Sequence, residues 1–109
     1  MDPGPRRGDG GMMEKKFWVY MLASKEYGTL YIGVTSDLKK RIWEHKSKVA
    51  EGFTEKYDVQ NLVWFEEHQN AESAITREKQ MKEWKREWKL NRIKDMNPEW
   101  RDLYEDICK

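Results

Sequence analysis

Two tyrosines, Tyr20 and Tyr31, stand in segments whose residue pattern predicts neighbouring β-strands. Tyr31 alternates with apolar side chains and shares its face with Gly33, which adds no bulk and leaves room for a ligand to approach the backbone. If Ala23 pairs with Leu30, Tyr20 lies opposite Gly33 and is a diagonal neighbour of Tyr31. Two phenols beside open backbone can transfer protons, although amphipathic tyrosines in a core give the same pattern.

A histidine and an arginine follow on the next predicted helix, one turn apart. His45 falls in the apolar stripe of this helix, and Arg41 lies at its margin. A lone histidine at such a place is commonly a core residue with satisfied hydrogen bonds. The Arg41 guanidinium, however, must find an anion, either a carboxylate or a phosphate.

One carboxylate, Glu78, falls within the apolar arc of a later predicted helix, near Ala71, Ala74, Ile75 and Met81. A carboxylate there is costly unless it is paired or coordinates a cation. Two interpretations stay open: a salt bridge to Arg41, or a metal ligand. Mg²⁺ often takes only one or two carboxylates and keeps several waters, so a single glutamate suffices for the second interpretation.

The segments that must position these side chains alternate between strand and helix patterns. Predicted strands cover 17–23, 30–35 and 59–68, and predicted helices cover 38–48, 71–85, 88–96 and, as a last short one, 100–107. Asn70 and either Ser36 or Asp37 are suitable N-caps, and Gly28 and residues 52–58 read as a turn and a loop. The order β-β-α-β-α-α predicts an α+β fold, a three-stranded antiparallel sheet flanked by helices.

The chain of 109 residues is long enough for one domain. Residues 1–14 are rich in Gly, Pro and charge, which predicts a disordered tail before a folded domain at 15–109. A single cysteine, Cys108, forbids an internal disulfide and fits a reducing cytoplasm. We see neither a signal peptide nor a run long enough to span a membrane, and we expect a monomer or weak dimer.

The net charge is only +1, but the charges are unevenly distributed. Residues 39–48 carry five basic side chains and one acid, and residues 77–94 carry eight basic side chains and three acids, whereas acids prevail from Asp95 onward. Ordinary solvated helix faces would explain this pattern, as would a basic stripe that faces a phosphate backbone. The near-neutral total argues against tight, non-specific coating of DNA.

These residues together resemble a known family. Val19-Tyr20, with Tyr31-Ile32-Gly33 beginning eleven residues after Tyr20, is similar to the signature of the GIY-YIG nuclease superfamily, and Arg41, His45 and Glu78 follow at matching places. The likeness covers about residues 16–107 and is greatest to small stand-alone bacterial members labelled excinuclease C-like.

The sequence departs from the family signature at one position and leaves another open. Trp18 stands where the name-giving glycine of the family would be, but the chemically important Tyr20 is kept. Some members also carry a late asparagine, which Asn91 or Asn97 would match.

The resemblance implies a metal-dependent endonuclease that hydrolyses phosphodiester bonds, preferentially of DNA, with one Mg²⁺ or Mn²⁺ ion held by Glu78. Tyr20 is favoured as the general base, with Tyr31 orienting the water or the phosphate. Arg41 would bind the scissile phosphate, and His45 would contact it or relay a proton. Candidate contacts to the nucleic-acid backbone are Lys39, Lys40, Lys46, Lys82 and Lys85.

The same resemblance bears on partners. Well-defined nucleases of the family usually owe their substrate choice to an attached binding domain, for which this chain has no room. We therefore expect weak sequence preference or targeting by a protein partner. The alternative is a nucleic-acid-binding or adaptor module in DNA repair with little or no catalytic activity.

Overall fold

A computed structural model describes residues 16–47 and 58–109. The strands are β1 (Phe17–Ala23), β2 (Leu30–Thr35) and β3 (Asn61–His68), and the helices are α1 (Leu38–Lys46), α2 (Ala71–Lys82), α3 (Arg86–Met96) and α4 (Tyr104–Ile107). The predicted α+β class and order of elements are confirmed. The predicted tail at 1–14 and nearly all of the loop at 52–58 lie outside the described residues.

The three strands form an antiparallel sheet in the order β2-β1-β3, so β1 is central. The β1–β2 register pairs Ala23 with Leu30 and Tyr20 with Gly33, as the alternation predicts. The turn predicted at Gly28 connects β1 and β2, and Tyr27 in this turn has a positive φ of 57°. The β1–β3 pairing shifts by one residue at Val63, where β3 bulges.

The sheet buries apolar side chains on both faces. On one face, Val19, Met21 and Ile32 pack with side chains of α2 and α3, including Met81 and Ile93. On the other face, Tyr20 and Leu22 pack with Leu38 and Ile42 of α1 and with Leu103. Helices therefore cover both faces, which explains the continuous apolar run of the central strand.

The helix starts follow the sequence closely. Asp37 accepts a hydrogen bond from the Lys40 N–H at α1, and Asn70 accepts one from the Ser73 N–H at α2. The predicted end of α2 at Lys85 is wrong, because the helix ends at Lys82 and Lys85 is the N-cap of α3. Among the described residues, no helix combines the length and the apolar content that crossing a bilayer would require.

Candidate active site

The centre of the candidate site is the phenol of Tyr20, which lies over the backbone of Gly33. Tyr20 is buried, and a Cβ atom added at Gly33 would lie 2.4 Å from its Oη. Real Cβ atoms do not approach other atoms so closely, so only glycine permits this placement. The open patch predicted beside the tyrosines is therefore filled by one of them.

The Tyr20 ring forms a cluster with two other rings, those of Tyr31 and His45. The Tyr20 ring centroid lies 6.3 Å from that of Tyr31 and 5.9 Å from that of His45, and the Tyr31 and His45 centroids are 5.7 Å apart. The Tyr20 Oη and the His45 Nε2 are joined by a hydrogen bond of 3.1 Å. The sheet supplies the two phenols and α1 supplies the imidazole, so all three sequence-predicted rings come together.

Arg41 joins this cluster from one turn earlier on α1. Its guanidinium is close enough to Tyr20 to lower the pKa of that phenol, and its Nη1 lies 3.0 Å from the Glu44 Oε1. The Tyr20 hydroxyl can donate its own proton to the His45 Nε2, 3.1 Å away, when that nitrogen carries no proton. Glu44 was not foreseen, although its i,i+3 spacing from Arg41 is a usable signal.

Burial sets the protonation states of the central pair. It raises the pKa of Tyr20 to about 12 and prevails over the influence of Arg41, which acts in the opposite direction. Burial, together with the charge of Arg41, lowers the pKa of His45 to about 4. At neutral pH the pair therefore consists of a protonated phenol and a neutral imidazole, which can accept a proton.

Glu78, on α2, is the fifth residue of the predicted site. Its carboxylate is close enough for its charge to contribute to the raised pKa of Tyr20, and its side chain is only 15% exposed. The Glu78–Arg41 salt bridge, one of the two open interpretations, is not what forms: Glu78 Oε2 lies 2.9 Å from the Lys82 Nζ. Ile75 was wrongly counted in the buried arc around Glu78, since it is 41% exposed.

The donor set around Glu78 can be compared with what a divalent cation requires. No cluster of three or more His, Cys, Asp or Glu side chains suited to a metal ion occurs in residues 16–47 and 58–109. A single, largely buried carboxylate whose charge acts on the Tyr20 phenol nevertheless fits Mg²⁺ or Mn²⁺ that keeps several waters. Glu78 is thus the residue that would hold such an ion, in exchange for its contact with Lys82.

Three of the five predicted backbone-binding lysines line one of two cavities. Lys82 lines a cavity of about 300 Å³ with Tyr31 and with Lys89, which sequence reasoning missed because nothing local marks it. Lys39 and Lys40 line another cavity with Trp43.

The last two of the five lie outside both cavities. Lys46 is ion-paired with Asp102 of the C-terminal segment. Lys85 is exposed at the start of α3.

The late asparagine has two candidates with different surroundings. Asn97 is buried; its Nδ2 donates to the carbonyls of Val63 and Arg101, and its Oδ1 accepts from the Arg101 N–H. Asn91 is exposed and lies in a groove that Arg77 of α2 and Trp88 of α3 also line. The side chain of Asn97 is therefore fully engaged in holding backbone.

Comparison with a solved structure supports the fold. The chain is similar to a UPF0213 protein of Bacillus halodurans solved by solution NMR, with a TM-score of 0.51 and 24% sequence identity. The similarity covers 81% of this chain and 93% of that one.

Sequence relatives and a family model agree with each other. The chain is 31% identical to a UPF0213 protein of Streptococcus sanguinis, over 76% of this chain and 94% of the relative. It is 30% identical to a UPF0213 protein of Staphylococcus saprophyticus, over 73% and 96% respectively. Residues 16–91 match the family model of the GIY-YIG catalytic domain. The chain thus belongs to the GIY-YIG family, alongside small bacterial UPF0213 proteins.

Proposed function

We propose that this protein is a metal-dependent endonuclease that hydrolyses phosphodiester bonds of nucleic acid, with DNA as the favoured substrate. The observation that carries the proposal is the cluster of Tyr20, Tyr31 and His45, whose ring centroids lie within 5.7–6.3 Å of one another, with Arg41 near enough to affect the pKa of Tyr20. Two phenols, an imidazole and a guanidinium suit the transfer of a proton beside a phosphate. A purely structural core has no need of this combination.

Arg41 is the phosphate-binding group in this proposal. Its guanidinium can offer two parallel N–H groups to phosphate oxygens, a stronger interaction than its single contact with Glu44. Binding a phosphate there also places negative charge near His45. Because the Arg41 charge helps to lower the pKa of His45, its neutralisation raises that pKa and makes the imidazole a better acceptor.

Tyr20 and His45 form the proton path. With a pKa of about 12, the Tyr20 phenol is not ionised beforehand, so it acts as a base only while its own proton leaves. The 3.1 Å contact allows the proton on Oη to pass to His45 Nε2 as Oη takes a proton from the attacking water. Tyr31, on the same face, orients the water or the phosphate.

Glu78 is the carboxylate that would hold the cation. When bound, Mg²⁺ or Mn²⁺ would neutralise charge that develops on the phosphate oxygens during displacement.

The test is nicking of supercoiled plasmid with Mg²⁺ or Mn²⁺, followed by a panel of DNA and RNA structures. We expect Tyr20→Phe, Arg41→Ala and Glu78→Ala each to slow nicking by about 100-fold or more. Tyr27→Phe, which removes an exposed phenol elsewhere and keeps its ring, is the matched control and should nick normally. If Glu78→Ala nicks as fast as the unaltered protein, the proposed site is wrong.

The alternative is a binding or adaptor module without activity. The presence of both Glu78 and Arg41 counts against it, since a degenerate member would usually lose one of them first, whereas the pairing of Glu78 with Lys82 gives the carboxylate a partner other than a metal. This alternative predicts nucleic-acid or protein binding with no metal-dependent nicking.

A further inference from the structure

Lys82 contacts two functional regions at once. Its ammonium lies 2.9 Å from the Glu78 carboxylate, and its side chain also lines the cavity of about 300 Å³ beside Tyr31. The other side chains around this cavity are Leu30, Ile32 and Lys89. A molecule that binds in the cavity would therefore contact Lys82, the ion-pair partner of Glu78.

The cavity carries positive charge that the described residues do not neutralise. Within residues 16–47 and 58–109, the Lys89 ammonium is held only by a long hydrogen bond of 3.5 Å to the Lys82 carbonyl. Lys82 shares its charge with one carboxylate, that of Glu78. Two ammonium groups against one carboxylate favour an anionic occupant.

The position of the cavity relates it to the catalytic cluster. β2 is at the edge of the sheet, and Tyr31 on this strand contributes both to the cavity and to the ring cluster with Tyr20 and His45. The cavity and the cluster that includes Arg41 thus have Tyr31 in common. A nucleic-acid strand that passes Tyr31 could place one phosphate at Arg41 and another in the cavity.

We propose that the cavity lined by Lys82 and Lys89 binds the phosphate next to the scissile one, and that Lys82 leaves Glu78 to contact it. This inference rests on the proposed function, in which Glu78 holds the cation. The exchange is easy because an i,i+4 ion pair with a half-exposed lysine is weak. Substrate binding then frees the carboxylate for the cation, and the two ligands bind with positive and reciprocal coupling.

The first experiment measures Mn²⁺ binding to the intact protein by electron paramagnetic resonance, without nucleic acid. Lys82→Gln keeps a polar, slightly shorter side chain but removes its charge, so we expect it to bind Mn²⁺ roughly threefold tighter or more. Lys79→Gln, an exposed lysine on the same helix, is the matched control and should bind like the unaltered protein. If Lys82→Gln leaves the affinity unchanged while Glu78→Ala abolishes binding, the exchange is refuted and the proposed function stands. If Glu78→Ala still binds Mn²⁺ normally, the assignment of the cation in the proposed function fails instead.

The second experiment measures binding of a labelled DNA duplex in EDTA by fluorescence anisotropy. Each of Lys82→Gln and Lys89→Gln should weaken binding roughly five- to tenfold at 0.1 M salt and reduce the slope of log K against log salt by about 0.9. Lys94→Gln, further along α3 and outside the cavity, should have neither effect. Unchanged affinity and slope for Lys89→Gln would overturn the phosphate subsite.

Discussion

The position of the Tyr20 phenol depends on one missing side chain. A Cβ at residue 33 would lie 2.4 Å from Oη and 2.5 Å from Cζ of Tyr20, so any larger residue must displace the ring. Displacement would break the contact with His45, because that contact depends on the same hydroxyl. The glycine of the second family triplet therefore has a physical role in this chain, to admit the phenol.

His45 makes the stability of the fold depend on pH. Its pKa is lowered to about 4, below its ordinary value near 6.5, so the unfolded chain binds this proton more readily. The resulting stability is fully present above pH 6.5 and is lost as the pH falls toward 4, by at most about 3 kcal/mol. We expect this loss in the unaltered protein and not in His45→Gln, measured by urea unfolding at a series of pH values. Parallel pH profiles of the two proteins would contradict this assignment.

At the scale of elements, hydrogen bonds to backbone groups hold the C-terminal segment against β3. Asp102 Oδ1 accepts from the N–H groups of Leu62 and Tyr104, and the Leu103 N–H donates to the Leu62 carbonyl at 2.7 Å. Together with Asn97, these bonds close the sheet face on which Tyr20 and α1 pack. The segment that follows α3 thus packs on the sheet face that carries Tyr20.

Asn97 is the residue whose removal should loosen this attachment. Asn97→Ala leaves the carbonyls of Val63 and Arg101 and the Arg101 N–H without their partner, which should cost about 2–4 kcal/mol of unfolding free energy. Asn91→Ala, an exposed asparagine of α3, should change it by less than about 0.5 kcal/mol. Urea unfolding at pH 7 measures both. A loss below 1 kcal/mol for Asn97→Ala would mean that water replaces the amide.

At the scale of the whole molecule, the basic side chains of different helices lie in different surroundings. α2 and α3 hold Lys82 and Lys89 beside Tyr31, whereas Lys46 of α1 faces Asp102 in the acidic C-terminal region. A net charge of only +1 thus coexists with a local basic region at the edge of the sheet. This arrangement favours binding along one edge over general attraction to nucleic acid.

A cation that binds only the folded protein should raise the stability of the entire domain. With Mg²⁺ at ten times its dissociation constant, mass action adds about 1.4 kcal/mol to the unfolding free energy. We expect a higher melting temperature in Mg²⁺ for the unaltered protein and for Glu72→Ala, an exposed glutamate of the same helix, but not for Glu78→Ala. The adaptor alternative predicts identical melting curves with and without Mg²⁺.

Local patterns in the sequence were sufficient for much of the fold. Alternation in β2 placed Tyr31 and Gly33 on one face, and the register that set Tyr20 opposite Gly33 followed from pairing Ala23 with Leu30. Cap residues predicted the starts of α1 and α2. These features depend on backbone periodicity and on hydrogen bonds between near neighbours, which a short stretch of sequence determines.

Only the tertiary structure decided how distant elements meet. Periodicity shows that α1 and α2 each bury a face, but not which side of the sheet each one covers, because both sides offer apolar residues. The partners of Glu78 and Asn97, and the entry of Lys89 into the cavity beside Tyr31, likewise follow from packing between segments far apart in the chain. Such contacts depend on the sum of many long-range packing energies. The local spacing of residues in the sequence does not indicate them.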